Sequence, residues 1–343
     1  MTQSTIRKTW SLVRATCSIL GFALFCLTLP AAAPALAAGF SLIEVPSDAG
    51  PALAGGVWYP CAGPPGEIAV GLVTVRAAKD CPIAGRDLPL VVISHGFGGS
   101  FVGHRDVAEA LADAGFIVAA INHPSDSSWS PEHDHKDPVS ALTDRPADIK
   151  HLVDFMLGAW PSAAKIDRDR IGFFGFSRGG FTGLALIGGE INFRDVLAQS
   201  CPEGSMQPGC AEARLHGIPT QPLVHDPRIK AAVIADPLLG RFFTTEGLKG
   251  VHLPVQLWAS EFGGDGVTQD DAATVDRNLA AKPELHTVAN AGHFAFLPPC
   301  SPGQARAFAQ ISADPEGFDR AAFHVEFDRQ VVAFFRARLL SQP

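Results

Sequence analysis

A serine set among glycines is the first feature of this sequence that could do covalent chemistry. Ser177 stands in GFSRGG, a Gly-x-Ser-x-Gly pattern between the apolar run RIGFFGF and the small-residue run GGFTGLALIGG. A buried strand, a sharp turn and a helix are the setting in which such a serine is a nucleophile, because the turn presents its hydroxyl above the sheet. A serine that merely caps a helix would not need Gly175, Gly179 and Gly180 around it. We therefore predict that Ser177 is a nucleophile in acyl transfer.

A histidine is needed to activate this serine, because a hydroxyl attacks a carbonyl only when a base takes its proton. His293, in NAGHFAF, follows the last predicted strand, ELHTVA, so its ring can reach back over the carboxyl edge of a sheet. The base comes last in chain order in an elbow of this type, and the histidines between residues 123 and 151 all precede Ser177. His293 is therefore the predicted general base.

An acidic residue must hold the imidazole in the tautomer that accepts the serine proton. Asp265, in SEFGGDG, follows the predicted strand LPVQLWAS and is the first choice, since the acid usually occupies this position. Asp236, at the end of IKAAVIAD, is the alternative, although the proline after it also suits a strand end. Glu261 lies between the two and stays a third possibility.

Two backbone N–H groups are predicted to form the oxyanion hole, which stabilises the negative charge of the tetrahedral intermediate. Arg178, directly after the nucleophile, supplies one, and Phe97 in the glycine-rich loop SHGFGGS supplies the other. His95 in this loop is interpreted as a brace. The stretch EHDHKD at residues 132–137 is interpreted as a solvated loop and not a metal site, because its spacing matches no dedicated ligand set.

A parallel sheet is needed to bring these residues to one edge, and the chain predicts such a sheet. From residue 88 onward, continuous apolar runs alternate with segments of helical periodicity, which indicates an α/β fold with a mostly parallel central sheet and helices on both faces. The runs FSLIEV, GGVWYP and AVGLVTV predict antiparallel strands at its edge. Residues 189–227, rich in proline and glycine, interrupt the alternation and are predicted to form a lid-like insertion.

The composition indicates an exported, acidic protein. The chain has 343 residues, of which 47% are hydrophobic, and a formal net charge of −8. Basic residues precede the apolar run ATCSILGFALFCLTL, and APALAA offers a cleavage site, so residues 1–37 are predicted to be a signal peptide. The mature protein would be one domain over residues 38–343, periplasmic or secreted, without stable membrane insertion. Its negative charge argues against nucleic acid as a partner.

Five cysteines follow the predicted signal peptide, and an oxidising compartment favours disulfides between them. Cys61 and Cys81 flank a predicted hairpin and are the first expected pair. Two of Cys201, Cys210 and Cys300 are expected to form the second pair, and the sequence leaves open which thiol stays free.

The motifs SHGFGG, GFSRGG and AGHFAFLPPC occur in this order, and with them the chain resembles the α/β-hydrolases. More narrowly, from about residue 42 onward it is similar to exported dienelactone-hydrolase-like serine esterases related to platelet-activating-factor acetylhydrolases. The resemblance implies ester hydrolysis without a cofactor, with Ser177, His293, Phe97 and Arg178 in the roles given above. Cytoplasmic dienelactone hydrolases carry a cysteine nucleophile, so their substrate is not expected here. The segment RIKAAVIADPLLG resembles the acetylhydrolase stretch that supplies the acid, which keeps Asp236 open.

The predicted function is cleavage of a small-molecule carboxylic ester through an acyl-enzyme. Aromatic residues near the motifs favour an apolar acyl group, and they are Phe97, Phe176, Phe181, Phe294 and Phe296. The alternatives are a phospholipid or polyester substrate, transfer of the acyl group to an acceptor other than water, and a binding protein without catalysis.

Overall fold

A ten-stranded sheet lies at the centre of the computed structural model, which describes residues 37–47, 51–79, 81–130, 138–206, 210–211, 213–214, 217–219 and 221–340. The strands are β1 (Ala37–Val45), β2 (Leu53–Cys61), β3 (Gly66–Val70), β4 (Val73–Lys79), β5 (Leu88–Ser94), β6 (Ile117–Ile121), β7 (Ile166–Phe176), β8 (Ile229–Ala235), β9 (Val255–Ser260) and β10 (Glu284–Val288). The predicted signal peptide, apart from Ala37, and the EHDHKD stretch lie outside the described residues.

Helices connect most of the parallel strands. Those of the described residues are α1 (Arg105–Asp113), α2 (Pro138–Leu157), α3 (Arg178–Leu186), α4 (Phe193–Ser200), α5 (Thr245–Leu248), α6 (Gln269–Asn278), α7 (Pro302–Ala307), α8 (Ala309–Ser312) and α9 (Arg320–Phe335). None of them is both long enough and apolar enough to cross a membrane.

The sheet order is β10-β9-β8-β7-β5-β6-β2-β1-β4-β3. Strands β5 to β10 are parallel to their neighbours among themselves, β2 is antiparallel to β6, and β1 is antiparallel to β2. This confirms the prediction of a mostly parallel sheet with antiparallel strands beside it. The run AVGLVTV differs from its prediction as one strand, because Gly71 at φ +59° turns the chain between β3 and β4.

Alternating side chains of the parallel strands build two cores, one on each face of the sheet. In β5, Leu90 and Val92 belong to the first core, whereas Val91 and Ile93 belong to the second. Helices α2, α3 and α6 contribute apolar side chains to the first core, and α1 and α9 contribute to the second. Burial on both faces explains why the sequences of these strands are continuously apolar. The carboxyl ends of β5, β7 and β8 therefore lie at one edge of a sheet that packs against a core on each face.

Two disulfides and one free thiol account for the five cysteines of the described residues. Cys61 and Cys81 are paired with their Cα atoms 6.0 Å apart, as predicted. The second bond joins Cys201 to Cys210, and Cys300 is free and half-buried. The assignment that the sequence left open is thereby made.

Acidic side chains crowd the interface between α1 and α9. His324 of α9 forms an ion pair with Asp106 of α1 at 2.5 Å and contacts the carbonyl oxygen of Ala295 at 2.8 Å. Within the part of the chain that the structure describes, the Oδ1 atom of Asp328 is buried without a hydrogen-bond partner. Burial, together with the negative charges of Asp106 and Glu109, raises the pKa of Asp328. The folded protein therefore disfavours ionisation of this carboxyl group.

We expect Asp328→Asn to stabilise the protein increasingly as pH rises. A carboxyl group whose pKa is raised by folding contributes most below its unfolded pKa, and that contribution is lost as pH rises through the folded value. For each unit by which folding raises the pKa of Asp328, the variant should gain about 1.4 kcal/mol in the free energy of unfolding relative to the wild type. Urea unfolding at pH 5 and pH 8 measures this, with Glu326→Gln on the exposed side of the same helix as control. Lower stability of Asp328→Asn at pH 8 would contradict the expectation.

Candidate active site

Ser177 lies at a sharp turn between β7 and α3. Its backbone angles, φ 57° and ψ −115°, are strained for a residue other than glycine. The turn is possible because its neighbours lack side chains. A Cβ atom on Gly179 would lie 1.9 Å from the carbonyl oxygen of Ser94, and one on Gly175 would lie 2.1 Å from that of Gly179. The structure thus has the strand, turn and helix that the sequence predicts.

His293 begins a 3-10 turn, His293–Phe296, after β10, and its ring is buried at the nucleophile elbow. The Nε2 atom lies 3.0 Å from Oγ of Ser177. The ring stacks on Phe176 with centroids 4.6 Å apart, and the backbone N–H donates to the carbonyl oxygen of Gly263 at 2.7 Å. The structure therefore brings the predicted base and the predicted nucleophile into direct contact.

Asp236, directly after β8, contacts the other side of this imidazole. Its Oδ2 atom lies 2.9 Å from Nδ1 of His293. Ser260 fixes the carboxylate, donating its backbone N–H at 2.8 Å and its hydroxyl at 2.5 Å. A proton on Nδ1 then points at the carboxylate, which leaves Nε2 as an acceptor for the Ser177 hydroxyl.

Among the described residues, the alternative from the sequence, Asp236, contacts the His293 ring, and the first choice, Asp265, does not. Asp265 is exposed, on the loop after β9, whereas Asp236 follows β8, the strand that pairs directly with β7. The loop containing Asp265 supports the backbone of His293 through Gly263, and the ring turns toward β8. Glu261 is exposed and accepts the backbone N–H of Asn290 at 2.6 Å.

Of the two predicted oxyanion donors, Arg178 begins helix α3 and Phe97 lies on the glycine-rich loop after β5. Arg178 is the first residue of α3, so its N–H has no acceptor within the helix. Phe97 follows β5, its side chain is 63% exposed, and the Arg178 guanidinium lies 4.3 Å from its ring centroid. This contact holds the loop of Phe97 against the start of α3.

A buried arginine, Arg145, forms hydrogen bonds to several segments that surround the predicted oxyanion donors. The Arg145 side chain is fully buried and donates to both carboxylate oxygens of Asp126 at 2.7 Å. It also donates to Oγ of Ser94 at 3.0 Å, to Oγ1 of Thr182 at 3.1 Å and to the carbonyl oxygen of His95. One guanidinium therefore joins the end of β5, the loop after β6 and helix α3.

Asp126 links Arg145 to the segments that carry the two predicted oxyanion donors, Arg178 and Phe97. Its carboxylate accepts a hydrogen bond from the Arg178 guanidinium at 3.1 Å, and its carbonyl oxygen accepts the N–H of Gly98 at 2.9 Å. Burial by itself would raise the pKa of Asp126, but the positive charges around it, Arg145 first, lower it to about 2. The carboxylate is therefore ionised at neutral pH and pairs with both arginines.

His95 and His123 complete the support of the glycine-rich loop. Nδ1 of His95 donates to the carbonyl oxygen of Gly96 at 2.6 Å, and its Nε2 accepts the backbone N–H of His123 at 3.2 Å. Nε2 of His123 contacts Oγ of Ser94, and its Nδ1 contacts Asp148, both at 2.9 Å. Burial first, and then the Arg145 charge, hold the pKa of both histidines well below the usual value. They are neutral braces, as the sequence suggests for His95.

We expect Arg145→Met to destabilise the fold by about 3 to 5 kcal/mol, because it leaves the Asp126 carboxylate buried without its main partner. Urea unfolding measures the loss. Lys150→Met is the matched control, since Lys150 lies on the same helix and also pairs with an aspartate, Asp154, but both of these side chains are exposed, so its loss should be about 1 kcal/mol or less. The double variant Arg145→Met/Asp126→Asn should recover part of the loss. Equal effects of the two single variants would contradict this.

A cavity of about 240 Å³ opens beside Ser177 and His293. Most of its wall is apolar, and the larger apolar side chains in it are Leu72, Phe97, Trp129, Phe176, Phe294, Leu297, Phe308 and Ile311. Two of the aromatic residues that the sequence placed near the motifs are elsewhere, since Phe181 is in the first core and Phe296 is in the second. The free thiol of Cys300 also lines the cavity.

The described residues that form the outer wall of this cavity lie outside the segment predicted to be a lid. No described residue of segment 189–227 lines the cavity, and Phe193 and Val196 of α4 are buried elsewhere. Residues of α7, α8 and the β3–β4 turn form the wall instead, and Gln304 joins them by donating to the carbonyl oxygen of Leu72 at 3.0 Å. The sequence analysis missed α7, although Ser301 and Gln304 form a capping box that could have indicated it.

Comparison with known proteins agrees with this architecture. Residues 66–157 match the family described as "Platelet-activating factor acetylhydrolase, isoform II". A solved ferulic acid esterase from Streptomyces cinnamoneus superimposes with a TM-score of 0.60 at 22% identity, over 92% of this chain and 93% of that chain. Among curated protein sequences, none matches significantly. The structural similarity extends over nearly the whole of both chains, and with the sheet order it shows that this chain has the α/β-hydrolase fold.

Proposed function

We propose that this protein is a serine hydrolase that cleaves carboxylic esters through an acyl-enzyme. The observation that carries the proposal is the hydrogen-bonded chain from Asp236 through His293 to Ser177 at a nucleophile elbow. Such a chain converts an unreactive hydroxyl into a nucleophile, and the strained turn keeps that hydroxyl at the cavity wall. The similarities to an acetylhydrolase family and to an esterase support the same reaction class.

In the acylation step, Oγ of Ser177 attacks the ester carbonyl while its proton moves to Nε2 of His293. The carbonyl oxygen becomes an oxyanion, which the N–H groups of Phe97 and Arg178 stabilise. Asp236 stabilises the imidazolium that forms. The C–O bond to the alcohol then breaks, and Nε2 returns the proton to the departing oxygen.

Water completes the cycle by the same route in reverse. His293 takes a proton from the water molecule, the resulting hydroxide attacks the acyl carbonyl, and Ser177 leaves with the proton that Nε2 returns. The products are a carboxylic acid and an alcohol. Apart from the ester and water, these steps need only groups that the chain itself supplies, so we propose that no cofactor takes part.

The cavity supports a small, apolar ester as the substrate. Its volume of about 240 Å³ is slightly below the ~300–1,000 Å³ typical of small-molecule sites, and several aromatic side chains line its mostly apolar wall. A phospholipid or polyester could place only one acyl unit in this space, so we propose these substrates only as alternatives to a small ester. The two disulfides fit the proposal that the protein is exported.

Labelling with a fluorescent fluorophosphonate, followed by peptide mapping, tests the reaction class. We expect the label on Ser177 and parallel loss of p-nitrophenyl acetate hydrolysis. A panel of p-nitrophenyl esters of increasing acyl length then defines the substrate, and product analysis with added alcohols detects transfer to acceptors other than water. Label on another residue, or hydrolysis that survives full labelling of Ser177, would contradict the proposal.

A further inference from the structure

His104 is a histidine in the cavity wall for which no role has been described above. It is 2% exposed and lies at the start of α1, and its ring packs against Phe174 and Phe176 with centroids 5.1 and 5.4 Å away. Phe176 also stacks on His293, so one aromatic ring separates the two imidazoles. His104 is therefore close to the reacting groups without contacting them through a hydrogen bond.

Both ring nitrogens of His104 are buried without a hydrogen-bond partner among the described residues. The residue is the N-cap of α1, yet its side chain makes no capping hydrogen bond. Burial lowers the pKa of His104 to about 3, despite the opposing charge of Asp106, so the ring is neutral. A neutral imidazole holds one N–H donor and one acceptor, and leaving such groups dry and unpaired costs about 1 to 3 kcal/mol each.

The cavity is the side from which a partner can reach this ring, since His104 belongs to its wall and aromatic rings flank it elsewhere. We infer that His104 is a specificity-determining residue that binds a hydroxyl group of the ester held in the cavity. This inference rests on the proposed esterase function. Both nitrogens are buried, so this inference requires the imidazole to rotate toward the cavity, and side-chain adjustments of this kind are common on binding.

The chemistry of the wall defines the ligand further. A hydroxyl group can both donate and accept, so it satisfies either nitrogen, whereas an alkyl group satisfies neither. A charged group is disfavoured next to His104, because the buried, neutral imidazole carries no compensating charge. Most of the remaining wall is apolar and includes several aromatic side chains, which suits an aromatic ring. The substrate class is therefore an aryl ester with a hydroxyl group on its ring.

Matched esters test this inference. Methyl 3-phenylpropanoate and its three ring-hydroxylated isomers vary the acyl side, and benzyl acetate with the three hydroxybenzyl acetates varies the alcohol side. We expect at least one hydroxylated ester to exceed its parent in kcat/KM by about tenfold to a hundredfold in the wild-type protein, as a paired buried polar group predicts. His104→Phe should reduce this ratio to about one, and His104→Gln, which keeps a donor and an acceptor, should retain most of it.

The kcat/KM of each hydroxylated ester is divided by that of its parent ester in the same variant. A partial loss of folded protein lowers both values equally and leaves this ratio unchanged. Leu297→Ala, which changes the same wall without a polar atom, should keep the hydroxyl preference. Equal kcat/KM values for all the esters in wild type, or a preference that persists in His104→Phe, would overturn the inference.

A binding measurement separates failure of this inference from failure of the proposed function. The Ser177→Ala protein keeps His104, and calorimetry with 3-phenylpropanoic acid, benzyl alcohol and their ring-hydroxylated isomers should show tighter binding of at least one hydroxylated compound than of its parent. If fluorophosphonate does not label Ser177 and no ester is cleaved, the proposed function fails, and calorimetry still tests His104. If esters are cleaved but hydroxylated and parent compounds bind equally, His104 has no such role.

Discussion

The Ser177→Ala protein is expected to lose ester hydrolysis almost completely, with kcat lowered by about 10⁶-fold. The size of the loss follows from the mechanism, because without Oγ there is no atom to which the acyl group can be bonded. The fold should persist, since the hydrogen bonds at this turn use the backbone of residue 177, including its N–H to the carbonyl oxygen of Ala235 at 2.9 Å. Initial rates with p-nitrophenyl acetate and a thermal unfolding curve measure both properties.

The control for this substitution is Ser162→Ala, which removes a hydroxyl from a serine outside the cavity. It should hydrolyse the same ester at the wild-type rate. Retention of more than a tenth of the wild-type rate by Ser177→Ala would show that another group is the nucleophile.

Asp236→Asn should lower kcat by about 10⁴-fold, because the amide cannot hold the tautomer in which Nε2 accepts the serine proton. Asp265→Asn is the matched comparison, since Asp265 lines the cavity beside Ser177 and was the first choice from the sequence. It should change kcat by less than about tenfold, because its carboxylate makes no hydrogen bond to the imidazole among the described residues.

The side-by-side kinetics of the two asparagine variants decide the identity of the acid. The chain stays folded in either case if the unfolding midpoint in urea is close to that of the wild type. A 10⁴-fold loss in Asp265→Asn, with near-normal rates in Asp236→Asn, would reverse the assignment.

The sequence could predict those parts of the site whose signal is local. The environment of Ser177 is encoded within about ten residues, because strand, turn and helix follow each other directly. His293 could be predicted from its place after the last strand. The acid could not, because Asp236 and Asp265 both follow apolar strands, and only the pairing of β8 with β7 places one beside the histidine.

Longer-range contacts account for what the sequence analysis missed. Arg145 lies in helix α2, but a charged residue in a helix is usually solvated, so nothing in its own segment indicates that it is buried against Asp126. Segment 189–227 had the composition of a lid, whereas the cavity wall comes from α7 and α8 near the C-terminus. Such pairings depend on how the sheet brings distant segments together and have no signature in either segment alone.

The separation between the sheet and the outer cavity wall has a consequence for the evolution of such a protein. Residues 298–312 line the cavity through Pro298, Cys300, Gln304, Phe308 and Ile311, yet they supply no strand and no member of the hydrogen-bonded chain. Insertions, deletions or exchange of this segment can therefore reshape substrate preference while the reacting groups keep their positions. Relatives with different substrates should differ most in length and sequence here, and chimaeras that exchange this segment should transfer selectivity between them.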